Sequence, residues 1–171
     1  MRGFRFASAL ILIAGCTAPE PEASTPTQTP LGVVGVWELA SYTVTNSDGI
    51  ASFPFGQQPR GQIVYTETGQ MSAQLMRSDY DLGSVSELDG PTALRELGLS
   101  AFFAYWGTFD VDEAASTVTH EIEGCLYPDW VGASQVRNFR FEDPDHLVLW
   151  AQLPDVSDPG DLFELRWTRV R

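Results

Sequence analysis

Apolar and polar residues alternate along most of the chain after residue 30, and such alternation is typical of half-buried β-strands. In the first segment Trp37 and Leu39 fall on one face and Glu38 on the other. Turn-forming residues such as Asp48-Gly49 separate the segments. The pattern predicts strands at 31–44, 50–55, 61–67, 70–76, 106–112, 117–125, 134–141, 146–153 and 162–170.

One segment has a different period. In residues 91–105 the apolar side chains Leu94, Leu97, Ala101, Phe102 and Tyr105 recur every three or four positions, which predicts an amphipathic helix. A parallel sheet would need helices after most strands, and this chain offers one. The expected fold is therefore all-β: an antiparallel up-and-down barrel of about eight strands, with one helix between the fourth and fifth strands.

The connection between the sixth and seventh predicted strands is long for a hairpin. It spans 126–133 and contains Leu, Tyr, Trp and Val, so it has apolar side chains to bury. Trp130 in this turn either covers the mouth of the barrel or holds the turn itself together. Cys125, just before the turn, is interpreted as a small core residue.

The N-terminus has its own organisation. Arg2 and Arg5 precede a short apolar run that ends in Leu12-Ile13-Ala14-Gly15-Cys16. This order resembles a bacterial lipoprotein signal, in which the chain is cut before a cysteine that then receives acyl chains such as palmitate. The alternatives are an ordinary secretory signal or a leader with a chance cysteine. The resemblance implies a signal peptide at 1–15, an acylated Cys16 with a disordered Pro/Thr-rich tether at 16–30, and one domain at 31–171.

The net charge of the chain limits the kinds of binding partner that can be expected. The chain has 10 basic and 23 acidic residues, a net charge of −13, and loss of residues 1–15 would remove two arginines and no acid. An acidic surface repels nucleic acid, so no nucleic-acid partner is expected. A membrane link would have to come from the acyl chains on Cys16. The expected location is the bacterial cell envelope, lipid-anchored, with the outer membrane facing the periplasm favoured because Thr17 is not an inner-membrane retention signal.

With these motifs in view, the domain resembles the bacterial lipocalin-like family of the calycin group. The resemblance runs through GVWELASY at 35–42, GQIVYTETGQMSAQLMR at 61–77, YWGTFDVDEAASTVTHEIEG at 105–124 and LYPDWVGASQVRNFRFE at 126–142. It implies a lipocalin-like barrel, which is wide enough either to be filled by its own side chains or to bind one small hydrophobic ligand. It also implies that Trp37 closes one end of the barrel against Arg169.

Candidate ligand contacts follow from the period of two in strands. His120 shares a face with Val118 and Ile122, and Arg137 shares one with Gln135, so a polar cluster in an apolar interior is expected. The candidate ligand-binding residues are His120, Gln135, Arg137, Tyr105, Trp130 and Met71. Such a cluster would hold a carboxylate, carbonyl or phenol at the end of an apolar ligand. The alternative is that these residues are structural.

Enzyme signatures are sparse. His120 and Glu121 point to opposite faces of a strand, and no zinc, calcium or nucleotide motif is present, so neither a cofactor nor a metal is expected. Three functions remain open: a binding module, a small calycin-type isomerase or hydratase that uses His120 as acid and base, and a filled structural barrel without a ligand.

Overall fold

The structure is a computed structural model that describes residues 32–78, 101–152 and 160–171. Nine strands and a 3₁₀ turn lie in these ranges. The strands are β1 Gly35–Thr45, β2 Ala51–Ser52, β3 Arg60–Tyr65, β4 Gln70–Met76, β5 Phe102–Asp112, β6 Thr117–Cys125, β7 Ser134–Asp143, β8 His146–Gln152 and β9 Leu162–Arg169. The 3₁₀ turn is Pro128–Trp130. None of the described helices is long and apolar enough to cross a membrane.

The strands form a closed antiparallel barrel. Each of β3 to β8 pairs with the next strand along the chain, β1 pairs with β3, and β9 pairs back with β1. Eight long strands thus close the barrel, while the two-residue β2 extends only the end of β1. This is the up-and-down barrel that the alternation predicts. Closure leaves no unpaired edge among the eight strands, and every inward side chain enters one shared core.

Two predicted elements differ in the structure. Residues 102–105 were expected to end a helix, but they begin β5, where Phe103 pairs with Leu75 and Tyr105 with Ala73. Aromatic side chains favour strands, and the pairing with β4 overrides the helical spacing. Residues 91–100 of the predicted helix lie outside the described residues, and Ala101 is helical, as predicted. The second strand is shorter than expected, because Pro54 lacks an N–H group and turns the chain.

One end of the barrel is closed by Trp37 and Arg169. Trp37 is fully buried, and the Arg169 guanidinium carbon lies 3.9 Å from its ring centroid. Arg169 also donates hydrogen bonds to the carbonyls of Val34 at 2.9 Å, Gly32 at 3.0 Å and Pro144 at 3.1 Å. The resemblance to lipocalins implied this pair. In this structure the arginine fastens the segment before β1 and the β7–β8 turn over the indole.

Gly35 makes room for that contact. Its φ is +141°, a backbone conformation that L-residues rarely adopt, and a Cβ there would lie 2.6 Å from Arg169 Nη1. The sequence Gly35-Val36-Trp37 therefore has a physical reason: the glycine leaves the space that the guanidinium fills above Trp37. Arg166 lies on the opposite face of β9, where it pairs with Glu142 and Glu164.

Candidate functional site

A cavity of about 220 Å³ occupies the half of the barrel opposite the Trp37–Arg169 end. Its walls are mainly aliphatic and aromatic. They are formed by Tyr42, Phe55, Ile63, Ala73, Leu75, Phe103, Tyr105, His120, Tyr127, Trp130, Arg137, Leu149, Ala151, Phe163, Leu165 and Trp167. The barrel is thus hollow in this half.

His120 lies at the centre of the polar group in the cavity. It is completely buried on β6 between the buried Val118 and Ile122. The Tyr65 hydroxyl lies 2.7 Å from its Nε2, and the Tyr105 hydroxyl lies 3.1 Å from its Nδ1. Both ring nitrogens therefore have partners, and His120 itself has none left for a ligand.

Burial fixes the protonation of this group. Loss of solvation, with the nearby Arg137 charge as a smaller contribution, lowers the pKa of His120 to about 3. Burial likewise raises the pKa of Tyr65 and Tyr105 above the ordinary value for tyrosine. Near neutral pH the cluster consists of a neutral imidazole between two protonated hydroxyls.

Arg137 supplies the positive charge of the cavity. It lies on β7 opposite Val118, is 7% exposed, and donates from Nη1 to Gln135 Oε1 at 3.2 Å and to the Val136 carbonyl at 3.1 Å. None of the ion pairs among the described residues involves Arg137. A buried guanidinium with neutral partners leaves a favourable place for a negative or strongly dipolar atom.

The long turn between β6 and β7 forms part of the mouth of the cavity. Trp130 stands edge-on to Phe103, with ring centroids 5.5 Å apart, and to Tyr105 at 6.3 Å. The backbone hydrogen bonds Trp130 N to Tyr127 O and Val131 N to Pro128 O hold the turn in its 3₁₀ conformation. Trp130 thereby joins the cavity wall and packs against aromatic side chains of the turn and of β5.

The predicted site residues separate into two groups. His120, Arg137, Tyr105 and Trp130 line the cavity, whereas Gln135 and Met71 do not. Gln135 accepts a hydrogen bond from Arg137, and Met71 belongs to the buried core. Cys125 is half-buried against the core, and its Sγ accepts a hydrogen bond from the Tyr127 N–H.

Sequence reasoning missed three polar residues of the site: Tyr65, Tyr42 and Trp167. Tyr65 lies on the inward face of β3 with Ile63, so alternation places it inside the barrel. Nothing in the sequence pairs it with His120, which is 55 residues away. Trp167 lines the cavity, and its buried Nε1 has no acceptor among the described residues. Within the same ranges no group of three His, Cys, Asp or Glu residues could hold a metal ion.

The barrel and its internal cavity define the class: a calycin-type β-barrel with an interior that can hold a small molecule. The lipocalin-like domain family matches residues 34–170, and the chain belongs to this family.

Two individual proteins are similar. The 4'-hydroxy-3'-methoxypropiophenone carrier protein of Aspergillus oryzae (strain ATCC 42149 / RIB 40) is 36% identical over 74 residues, which is 39% of this chain and 67% of the carrier. A redesigned β-barrel of known structure covers 81% of this chain and 91% of its own, at 14% identity and a TM-score of 0.41. That score is too low to support any argument.

Proposed function

We propose that the protein is a carrier that holds one small, amphipathic aromatic molecule inside the barrel. The observation that carries the proposal is the cavity of about 220 Å³, with apolar walls and one polar group formed by Arg137, Tyr105 and His120. A pocket of this composition is typical of small-molecule sites: apolar area supplies affinity, and a few polar atoms supply orientation.

The volume sets the size of the ligand. An engineered apolar cavity of about 150 Å³ is known to hold benzene, so about 220 Å³ suits one ring with a few substituent atoms. A long acyl chain or a multi-ring pigment is larger than this volume. The edge-on aromatic rings of Phe103 and Trp130 favour a planar ring as occupant.

The carrier from Aspergillus oryzae supports the same ligand class. The molecule in its name is a one-ring ketone that bears a hydroxyl and a methoxy group. Such a compound has an apolar ring and oxygen atoms that accept hydrogen bonds from Arg137 or Tyr105. We extend the class, substituted phenols and aryl ketones, to this chain.

A cavity-filling variant tests the proposal. Ala151 lines the cavity and is 4% exposed, so the side chain of Ala151→Leu would occupy ligand volume. Ala40→Leu, at an exposed position of β1, makes the same change outside the barrel and serves as the control. Calorimetric titration with propiophenone and 4-hydroxypropiophenone should show binding by the native protein and by Ala40→Leu, and at least a tenfold loss in Ala151→Leu.

The proposal fails if neither ketone binds the native protein, or if both alanine variants bind equally well. Thermal unfolding of each variant shows whether the added methyl groups damage the fold, since overpacking of a core costs about 1–3 kcal/mol. A folded Ala151→Leu that binds normally would show that the ligand lies elsewhere.

An enzymatic function with His120 as acid and base is the second candidate. His120 does lie beside Tyr105 at the cavity, which that function requires. Its two nitrogens are occupied by tyrosine hydroxyls, however, and its pKa of about 3 makes it a weak base. Proton transfer to a ligand would have to pass through Tyr105. Tyr105→Phe should then abolish turnover of an aryl ketone, measured as deuterium exchange at the carbon next to the carbonyl.

We also propose that the carrier is anchored to the bacterial envelope through Cys16, with residues 16–30 as a tether and the outer membrane as its location. Residues 1–31 lie outside the described part of the structure, so the sequence motif alone supports this step. Metabolic labelling with a palmitate analogue should mark the native protein and leave Cys16→Ala unlabelled. Equal labelling of the two proteins would refute the anchor.

A further inference from the structure

The polar groups around the cavity include several hydrogen-bond donors without acceptors. Both hydrogen bonds of Arg137 leave from Nη1, so its Nε and Nη2 have no partner among the described residues. The Trp167 indole N–H is buried and also lacks a described acceptor. Buried donors in native proteins are nearly always paired, so the Trp167 N–H calls for an acceptor atom on a bound ligand, and the two unused Arg137 nitrogens offer further donors to it.

The Tyr65–His120–Tyr105 chain adds a third donor, because its direction can be worked out. In a neutral imidazole one nitrogen donates and the other accepts. If Tyr105 donated to Nδ1, then Nε2–H would donate to Tyr65, and the hydroxyl hydrogen of Tyr65 would be left without an acceptor. Tyr65 is 1% exposed and is not a wall residue of the cavity. The direction that leaves the spare hydroxyl hydrogen at the cavity, and not in the core, is Tyr65 to Nε2 and Nδ1–H to Tyr105.

This direction makes the Tyr105 hydroxyl a donor into the cavity. Its oxygen already accepts from His120, and its remaining hydrogen can only point to the occupant. Burial raises the pKa of Tyr105, so the hydroxyl keeps this hydrogen near neutral pH. A chain of hydrogen bonds also polarises its members, which strengthens the terminal donor.

The charges around Arg137 also favour an acceptor atom on the ligand, in particular a negatively charged one. The chain as a whole carries a net charge of −13, yet its buried Arg137 has no carboxylate partner among the described residues. A guanidinium cannot lose its proton to relieve burial. An anion placed beside it would be stabilised more strongly than in water, because the effective dielectric constant inside the barrel is lower.

We propose that the cavity binds its ring ligand in the ionised form, as a phenolate whose oxygen lies between the Arg137 guanidinium and the Tyr105 hydroxyl. Tyr65 and His120 are positioning residues that hold Tyr105 as a donor. No covalent bond forms; the phenol proton passes to solvent when the ligand enters. This inference rests on the proposed carrier function and adds the charge state and orientation of the ligand.

The test uses a phenol whose charge can be seen. The phenol and phenolate of 4-nitrophenol absorb at different wavelengths, and 4-nitrotoluene is a neutral molecule of nearly the same shape. An opposite charge within about 4–6 Å shifts a pKa by about 1–3, so the pKa of bound 4-nitrophenol should fall by about that amount. Calorimetry above the free pKa should show tighter binding of 4-nitrophenol than of 4-nitrotoluene, by about tenfold or more.

Buried tyrosine and histidine side chains around the cavity do not interfere with the titration of bound 4-nitrophenol. Burial moves the pKa of His120 to about 3 and that of Tyr42 to about 12, and it raises the pKa of Tyr65 and Tyr105. None of the four changes its charge near neutral pH. Tyr127 and Arg137 are the other titratable residues of the wall.

Substitutions test whether the Arg137 guanidinium and the Tyr105 hydroxyl cause the shift in the pKa of the bound probe. Arg137→Gln should abolish the shift in the pKa of the bound probe, and Arg137→Lys should restore part of it. Arg140→Gln is the matched control: it removes a positive charge from the outer face of the same strand and should leave the shift intact. Tyr105→Phe should also reduce the shift. Tyr65→Phe, outside the cavity wall, should reduce the shift while 4-nitrotoluene binds as before, which a merely structural role would not produce.

Each outcome decides the question. A lowered pKa that depends on Arg137 supports the proposal. Binding of both probes with an unchanged or raised pKa overturns the ionised state and leaves the carrier function standing. Failure of both probes to bind overturns both. If Arg137→Gln does not fold, the comparison of the native protein with Tyr105→Phe and Arg140→Gln still decides.

Discussion

Replacement of Arg169 by alanine should destabilise the barrel far more than the same change at Arg166, although both arginines lie on β9. Arg169 donates three hydrogen bonds to backbone carbonyls and stacks on Trp37. A hydrogen bond from a charged donor contributes about 1.5–3 kcal/mol, and a cation–π contact about 0.5–2 kcal/mol. Water can reach part of this end of the barrel, and these contributions are not additive, so we expect a loss of about 2–4 kcal/mol.

Arg166 provides the reference. Its partners are Glu142 and Glu164 on the outer surface, with side chains that are about two-fifths and one-quarter exposed. Exposed ion pairs of this kind contribute about 0–1 kcal/mol. The smaller loss in Arg166→Ala should also shrink in high salt. The loss in Arg169→Ala should persist, because its acceptors are neutral carbonyls.

Urea unfolding followed by tryptophan fluorescence measures both losses. With a slope of about 1–3 kcal/mol per molar urea, the midpoint for Arg169→Ala should fall by about 1–2 M at unchanged slope, and the midpoint for Arg166→Ala by a few tenths. Equal midpoints for the two variants would refute the conclusion that Arg169 stabilises the closed end of the barrel.

Three further predictions concern single positions. Gly35→Ala should cost about 1–3 kcal/mol, since the residue must hold φ at +141° and displace the Arg169 guanidinium; unfolding midpoints equal to those of the native protein would contradict this. The folded-state pKa of His120 (about 3) lies below the unfolded value (about 6.5), so its contribution to stability is present above pH 6.5 and is lost as the pH falls toward 3. Relative to His120→Gln, the native protein should lose about 3–5 kcal/mol over that range, whereas parallel stability curves for the two would show that His120 is not buried neutral. Trp130→Ala should weaken propiophenone binding about tenfold with little change in thermal stability, because half-buried Trp130 contributes to the wall more than to the core; calorimetry and a melting curve check the two halves of the expectation.

The alternation of apolar and polar residues is enough to predict which side chains face the interior of the barrel. His120 falls with Val118 and Ile122, and Arg137 opposes Val118 across the β6–β7 pair. Because a strand has a strict period of two, a polar residue among buried apolar ones must enter the barrel. The placement of these two residues inside was therefore within reach of the sequence.

The sequence did not predict which side chains contact each other across the interior of the barrel. Tyr65 contacts His120 through the barrel interior, and β3 and β6 are not neighbours in the sheet. No periodicity relates two strands that do not pair, so only the closed three-dimensional barrel brings these side chains together. Similarly, the short aromatic run at 102–105 satisfies both a helical and an extended spacing. Pairing with β4 decides between them.

The two inward arginines show why hydrogen-bond satisfaction separates structural from ligand-binding residues in this barrel. Arg169 uses Nε, Nη1 and Nη2 on backbone carbonyls and covers an indole, so it leaves nothing for a ligand. Arg137 uses Nη1 alone, on a side-chain amide and a neighbouring carbonyl, and this residue lines the cavity. Both are arginines in strands with inward partners, and the alternation of residues alone does not distinguish them, although the lipocalin resemblance assigns Arg169 to closure of the barrel. The unused donors of Arg137 are therefore available to a ligand that supplies acceptor atoms, whereas the hydrogen bonds of Arg169 are complete without one.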